Sequence, residues 1–216
     1  SPVKWIPHSD VIKLAQTNEG SLILSAVDLQ AAVLASLNRI ASRISAGIPA
    51  IVPELWNTDS NRPKEEEELS DWLQARLHED LNMGGRVINR EVRVAPGTSP
   101  SRRGRSTDIH LTAPLGEATE DAPTATVIIE VKGIWNPEVP RMISEQLIGR
   151  YLSVTGTRYG IGVVFRFDRD RWDESDPRRK KGEGEPERLR RKLDAQVDAA
   201  PSGYSVAAVV IDGTRP

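Results

Sequence analysis

The chain has 216 residues, of which 38% are hydrophobic and 28% are charged, and its formal net charge is -2. This length and composition are typical of one globular domain with a sizeable core, and the near-neutral charge neither indicates nor excludes nucleic acid as a partner. The absence of cysteine excludes disulfides, thiolate metal sites and a cysteine nucleophile.

The first ten residues lack the apolar stretch of a signal peptide, and no apolar run reaches the roughly 18 residues of a membrane-spanning helix. We therefore expect a cytoplasmic protein with no membrane partner. Because the chain begins with Ser rather than Met, we also expect a processed chain or one domain of a larger assembly.

The first predicted helix runs from Ser25 to Ala46 and ends at Gly47 and Pro49. We expect residues 1–62 to form an N-terminal helical extension that packs on a main domain of residues 63–216. Packing on that domain is favoured over a partner interface for the apolar stripe of the helix, which we predict to be Val27, Ala31, Leu34, Leu37, Ala41 and Ile44.

A second helix is predicted within residues 64–85, because acidic residues fill its first turn, leucines recur at helical spacing and two glycines end it. The periodicity then changes to that of strands. Three strands are predicted over 86–96, 106–114 and 125–134. They are followed by a helix over 138–156, a strand over 158–167, a helix over 185–200 and a last strand over 203–212.

The order of these elements predicts an α/β fold with a central mixed β-sheet flanked by helices. The first three strands follow one another directly and favour an antiparallel meander. The last three are separated by helices and are nearly continuous in apolar residues, which is typical of parallel strands buried on both faces.

The segment "TATVIIEVKGIW" ends a predicted buried strand with two charged residues, Glu130 and Lys132. Side chains at i and i+2 on a strand project to the same face. A buried ion pair is a poor stabilising device, because desolvation offsets its attraction. A functional site is therefore the better explanation for this pair.

A hard divalent cation such as Mg²⁺ needs more than one carboxylate. Asp108 in "STDIHL" supplies a second one on the preceding strand, and neighbouring strands lie only about 4.8 Å apart. With a suitable register, Asp108 and Glu130 share one cation, and Lys132 faces the attacking water or the scissile phosphate.

This arrangement resembles the PD-(D/E)xK nuclease superfamily, which has the restriction-endonuclease-like fold and includes Mrr-like enzymes, Holliday-junction resolvases and RecB-like domains. The resemblance covers about 64–212 and depends on the placement of the acidic and lysine residues at the end of the third strand. The residue before Asp108 is Thr107 rather than Pro, which is a common departure from the motif.

The resemblance implies that Asp108 and Glu130 bind Mg²⁺, or Mn²⁺, and that Lys132 is the catalytic lysine. Many members add a metal-binding Glu from the first helix; of the four successive glutamates, Glu66 lies nearest the sheet-facing stripe, although a favourable first-turn charge explains it equally well. RecB-like members carry Gln and Tyr four residues apart on the next helix, whereas Gln146 and Tyr151 are five apart. Gln146 is therefore a candidate for positioning water or phosphate, with a plain polar helix position as the alternative.

The loop "SPSRRGRS" precedes Asp108 and contains Arg102, Arg103 and Arg105. Guanidinium groups beside a metal site grip the phosphates that flank a scissile bond. The resemblance thus implies DNA as the partner. A solvated loop is the less favoured interpretation.

The leading hypothesis is a Mg²⁺-dependent deoxyribonuclease, an effector of bacterial restriction or phage defence. The alternative is a catalytically inactive nucleic-acid-binding or assembly module of a larger DNA-processing complex, in which the acid and the lysine form a vestigial ion pair. Family members often dimerise, so the expected partners are DNA, other subunits of a defence or repair complex, and a second copy of the chain.

Overall fold

The computed structural model describes residues 23–46, 51–83, 93–96, 108–115, 123–180 and 186–215. Within these ranges, only the backbone is described at 82–83, 93–96 and 108. The helices are α1 (Ala26–Ser45), α2 (Glu66–His78), α3 and α4 (Pro186–Asp198). Helix α3 is π-helical over Met142–Leu152 and α-helical over Ser153–Thr155.

Five strands form one mixed sheet in the order β1-β2-β3-β4-β5. Strands β1, β2 and β3 pair antiparallel, and β3, β4 and β5 pair parallel, as the sequence predicts. The α/β class and the helix-flanked mixed sheet are confirmed. In chain order, strands β1 to β5 span Arg93–Pro96, Asp108–Pro114, Thr124–Gly133, Tyr159–Arg166 and Ser205–Asp212.

Helices α1 and α2 contact each other and pack on the sheet, and α3 and α4 form a second contacting pair that packs on β3, β4 and β5. Their buried side chains join one continuous hydrophobic core, which includes Leu29 and Val33 of α1 and Trp56 of the segment between α1 and α2. Helix α1 thus lies within the same core as the sheet. None of the helices in the described ranges is long and apolar enough to cross a membrane.

The predicted apolar stripe of α1 is wrong by about two positions at its start, because Val27 and Ala31 are exposed. The buried stripe runs instead through Leu29, Val33, Leu37, Ile40 and Ile44.

A polar anchor, Gln30, accounts for this rotation of α1. Its side-chain amide donates to the carbonyls of Gly160 and Ser205, at 3.2 and 2.8 Å, and accepts from the Ser205 hydroxyl at 2.7 Å. These bonds satisfy a buried amide at the start of β4 and β5 and fix which face of α1 meets the sheet.

Helix α3 packs closely on β4 at two glycines. A Cβ at Gly160 would lie 2.9 Å from Leu147, and a Cβ at Gly162 would lie 2.7 Å from Ile143 Cδ1 and 3.1 Å from Met142 Cε. Gly162 is the register partner of Glu130 on β3. Paired residues of adjacent strands project to one face, so Glu130 lies on the face of the sheet that α3 covers.

We predict that Gly162→Ala lowers the free energy of unfolding by about 1–3 kcal/mol, because the new methyl group overpacks the contact between β4 and α3. Urea denaturation measures this change. The double variant Gly162→Ala/Ile143→Val removes the Cδ1 atom that the methyl group meets, so its loss is expected to be smaller than the sum of the two single losses. Additive losses would contradict the contact.

Candidate functional site

The candidate site lies at the end of β3, where Glu130 and Lys132 project to one face. Glu130 is completely buried, and the Lys132 side chain is 8% exposed. Lys132 Nζ lies 3.0 Å from Glu130 Oε1. The strand therefore carries a buried carboxylate and a buried ammonium in direct contact.

Asp108 is the direct register partner of Glu130 on β2. Directly opposite residues of an antiparallel pair have Cβ atoms only about 4.5–5.5 Å apart and share one face. The backbone thus places the two acidic residues side by side, although the Asp108 side chain lies outside the described residues. Two carboxylates in this position destabilise a sheet unless a cation offsets their repulsion.

Glu66 reaches the same end of β3 from the first turn of α2. Its Oε1 accepts from the Gly133 backbone N–H at 2.9 Å, and both of its carboxylate oxygens accept from Asn136 Nδ2 at 2.9 Å. The structure therefore brings Glu66, among the four successive glutamates, to the strand that carries Glu130 and Lys132.

The turn after β3 adds two residues that sequence reasoning did not assign to the site. Glu138 Oε2 lies 3.1 Å from Lys132 Nζ, and the Glu138 backbone N–H donates to Asn136 Oδ1 at 2.8 Å. Asn136 thereby links Glu66 to Glu138. The available sequence signal was an amide and an acid directly after β3, but the path of the turn decides which of them approaches Lys132.

Carboxylates outnumber cations at this site. Burial alone would lower the pKa of Lys132, but Glu130, Glu66 and Glu138 together raise it above its ordinary value, so the ammonium form is retained. Burial also raises the pKa of Glu66, and the opposing effects of Lys132, Gly133 and Asn136 offset this only in part. Among the described side chains, three carboxyl groups thus surround one ammonium.

Gln146 lies on α3 and is buried, with 6% of its surface exposed. Its side-chain oxygen has no hydrogen-bond partner within the described part of the structure. A buried, unpaired amide oxygen is costly. Among the described residues, Gln146 makes no hydrogen bond or ion pair with Glu130 or Lys132, but α3 covers the face of the sheet on which Glu130 lies.

The π-helical form of α3 changes how Gln146 relates to Tyr151. In a π-helix, residues five apart are joined by backbone hydrogen bonds and lie about one turn apart. The Ser153 N–H accordingly bonds to the carbonyl of Ile148. Gln146 and Tyr151 are both buried on this helix, so their five-residue spacing corresponds to one turn of α3.

The arginines of the predicted phosphate-gripping loop, Arg102, Arg103 and Arg105, lie outside the described residues. Among the described side chains, no group of three or more His, Cys, Asp or Glu residues is arranged to hold a metal ion. The predicted metal pair therefore depends on Asp108, of which the structure gives the backbone position alone.

Arg178 fixes the segment that carries Glu66. Its guanidinium binds Asp176 in a bidentate manner, with the closest contact at 2.8 Å, donates to the Pro63 carbonyl at 2.8 Å and pairs with Glu65 at 3.0 Å. It also stacks on Trp135, 4.7 Å from the ring centroid. This arginine thus ties the start of α2 to the loop after β4.

Trp135 is a buried core residue beneath this arginine. Its ring packs against Phe167 and Trp172, at centroid distances of 5.9 and 5.4 Å. A Cβ at Gly133 would lie 2.4 Å from this ring, so the strand end needs glycine there. The result is a rigid support under the Gly133 N–H that holds Glu66.

Comparison with protein-family models, curated proteins and solved structures finds no match for this chain.

We predict that Asp176→Asn lowers the free energy of unfolding at pH 7 by about 3 kcal/mol, because it breaks a buried bidentate pair. Burial alone would raise the pKa of Asp176, but the bonds from Arg178 outweigh it and lower that pKa. Its contribution is thus complete above the unfolded value of about 3.9 and is lost as the pH falls through the lower folded value.

Urea denaturation between pH 7 and pH 3 measures this difference, which should narrow at the acid end. Asp170→Asn is the matched control in the same loop, because the Asp170 side chain is 91% exposed and meets Arg179 only at 3.8 Å. Equal effects of the two substitutions at pH 7 would contradict the assigned role of Asp176.

Proposed function

We propose that the protein is a metal-dependent nuclease that hydrolyses DNA phosphodiester bonds. The observation that carries this proposal is the register of Asp108 opposite Glu130, with the Lys132 ammonium 3.0 Å from the Glu130 carboxylate. Together with the order of helices and strands, this placement supports the resemblance to the restriction-endonuclease-like fold.

The residues at the end of β3 fit a hard divalent cation such as Mg²⁺ or Mn²⁺. Carboxylate oxygens are the ligands that these ions prefer, and the described geometry gathers Glu130 and Glu66 beside the backbone position of Asp108. The excess of negative charge favours a cation over an anion. When bound there, the cation would supply Lewis acidity and lower the pKa of a water.

Each protein side chain would then have a separate task. Asp108 and Glu130 would hold the cation, with Glu66 as a third acid at its edge. Lys132 would place its positive charge next to the phosphate and stabilise the negative charge that develops on it. Gln146, whose buried oxygen has no partner among the described residues, would orient the water or the phosphate from α3.

The alignment of Lys132 depends on Glu138. Its carboxylate holds the ammonium from the solvent side, because the Glu138 side chain is 40% exposed while Glu130 is fully buried. A substrate phosphate approaching Lys132 would compete with Glu138 rather than with Glu130. Glu138 would thus keep the ammonium in place before the substrate arrives.

DNA is the proposed substrate because the basic loop 102–105 leads directly into Asp108 and guanidinium groups grip phosphates. Restriction or phage defence is the proposed setting, with other subunits or a second copy of the chain as partners.

We predict that the purified protein cuts plasmid or linear DNA with Mg²⁺ or Mn²⁺ and that EDTA prevents cutting. Asp108→Ala, Glu130→Ala and Lys132→Ala should each reduce the rate by about 10²-fold or more, since each removes a charge that acts on the reacting phosphate. Gel assays of supercoiled and linear DNA measure the loss.

Glu145→Ala is the matched control, because Glu145 is a 54% exposed acid on α3 that meets Arg141 only at 3.6 Å. It should cut DNA at the wild-type rate. Full activity of the Lys132→Ala variant, or equal cutting in EDTA, would overturn the proposed mechanism.

Metal binding can be tested without activity. A ligand that binds only the folded state raises the melting temperature, so Mg²⁺ or Mn²⁺ should raise it for the wild-type protein and for Glu145→Ala. Asp108→Asn should lose most of this increase. An equal increase in the wild type and in Asp108→Asn would place the cation elsewhere.

One observation favours the second candidate, an inactive nucleic-acid-binding or assembly module. Lys132 is already paired with both Glu130 and Glu138, which is the arrangement expected of a structural ion pair. In that case the site serves stability alone, and its loss leaves a buried ammonium short of partners.

Glu130→Gln separates the two candidates when DNA cutting and unfolding are measured on the same sample. The nuclease proposal expects cutting to be lost. The inactive-module proposal expects no cutting by the wild type under any metal. On either proposal, Glu130→Gln lowers the free energy of unfolding by about 3 kcal/mol, as is typical when one partner of a buried pair is removed.

A further inference from the structure

A cavity lies next to the candidate site, between the turn after β3 and helix α4. Its volume is about 120 Å³. A single water needs only about 10–15 Å³, so this space admits a small molecule. The described residues that line it are Ile134, Asn136, Pro137, Val139, Pro140, Leu189, Lys192 and Gln196.

The cavity and the site share residues. Asn136 lines the cavity while its Nδ2 lies 2.9 Å from the Glu66 carboxylate. Pro137 and Val139 also line it and flank Glu138, which is 3.1 Å from Lys132 Nζ. If a phosphate of a bound ligand lies at Lys132, the chemical group next to that phosphate therefore lies at the mouth of the cavity.

The lining is mostly aliphatic, with a small number of polar groups, which is the usual character of a small-molecule pocket. Ile134, Val139 and Leu189 are buried, whereas Pro137 and Pro140 are exposed at the rim. The rim thus opens to solvent, and the interior offers apolar surface to a flat ring.

Gln196 supplies polar recognition within this lining. Its Oε1 accepts from the Ile143 N–H at 3.2 Å, and its Nε2 donates to the Val139 carbonyl at 3.1 Å. A side-chain amide has two donor hydrogens and two acceptor lone pairs, so one of each remains after these bonds. An adjacent donor and acceptor match the edge of a nucleobase, as amides do when they bind adenine.

We infer that this cavity binds one unstacked nucleobase of the nucleic-acid substrate, beside the phosphate that Lys132 contacts. This inference rests on the proposed function and narrows its substrate to nucleic acid with a single-stranded or distorted stretch, because a stacked and paired base cannot enter a pocket. Lys192 is one of the lining residues, and its positive charge favours a phosphate nearby.

The test compares a single-stranded thymidine oligonucleotide with one of equal length that carries abasic sugars at every position. Binding is measured by fluorescence anisotropy in EDTA, so that metal-dependent cutting does not interfere. Both probes carry the same number of phosphates, and the difference in their affinity therefore reports the bases. The wild type should bind the base-containing probe about tenfold more tightly.

Leu189→Phe fills the cavity from α4 and should bring the affinity ratio close to one. Val139→Ile fills it less and serves if the larger residue prevents folding, as judged by thermal melting. Lys192→Met should weaken the binding of both probes by the same factor, because it removes charge and leaves the apolar lining. A wild-type ratio near one, or an unchanged ratio in folded filled variants, would overturn the inference.

Plasmid cutting by the same preparations keeps the two proposals apart. If DNA is cut and the wild-type affinity ratio is near one, the inference of a nucleobase-binding cavity is wrong and the proposed nuclease function is retained. If nothing is cut but the ratio falls in the filled variants, the pocket stands and the chain binds nucleic acid without hydrolysing it.

Discussion

The buried ammonium of Lys132 is the interaction on which the rest of the site depends. It lies at the end of a strand buried on both faces, in contact with a fully buried Glu130. Neither charge is tolerable there without the other, because an unpaired buried charge costs several kcal/mol. The pairing also makes an acidic residue acceptable at the opposite position on β2.

The turn after β3 provides further polar partners for Lys132 and for the carboxylates around it. Glu138 takes the outer side of the ammonium, and Asn136 holds the Glu138 backbone and the Glu66 carboxylate at once. Such a connected set of polar groups is stable only when its members are mutually satisfied. Two contacts make this arrangement rigid. The Trp135 ring packs against Gly133, and Arg178 pairs with Glu65 at the start of α2.

Much of the fold follows from local patterns in the sequence. The change from helical to alternating periodicity located the strands, and the intervening helices indicated which strands would be parallel. The face of α1 that is buried was not predictable, because its alanine-rich surface offers two overlapping apolar stripes and the choice is made by Gln30 bonding to distant carbonyls.

The site shows the same division. Glu130 and Lys132 were recognisable because charges are unfavourable at the end of a buried strand, and Asp108 because it lies on the neighbouring strand. Glu138 was not recognisable, since an acid in a proline-rich turn is ordinary and its approach to Lys132 depends on the path of the turn. Long-range contacts of this kind are absent from local sequence patterns.

The π-helical course of α3 has a consequence for how fixed-length sequence patterns apply to this helix. One added residue within a helix would normally turn every later side chain away from its neighbours, yet a wider turn absorbs the addition locally. Gln146 and Tyr151 can therefore keep a shared position at a spacing that a fixed-length sequence pattern rejects. Two helices can present the same side chains on one face and still differ by one residue in length. A sequence pattern that counts helical turns rather than residues would match both.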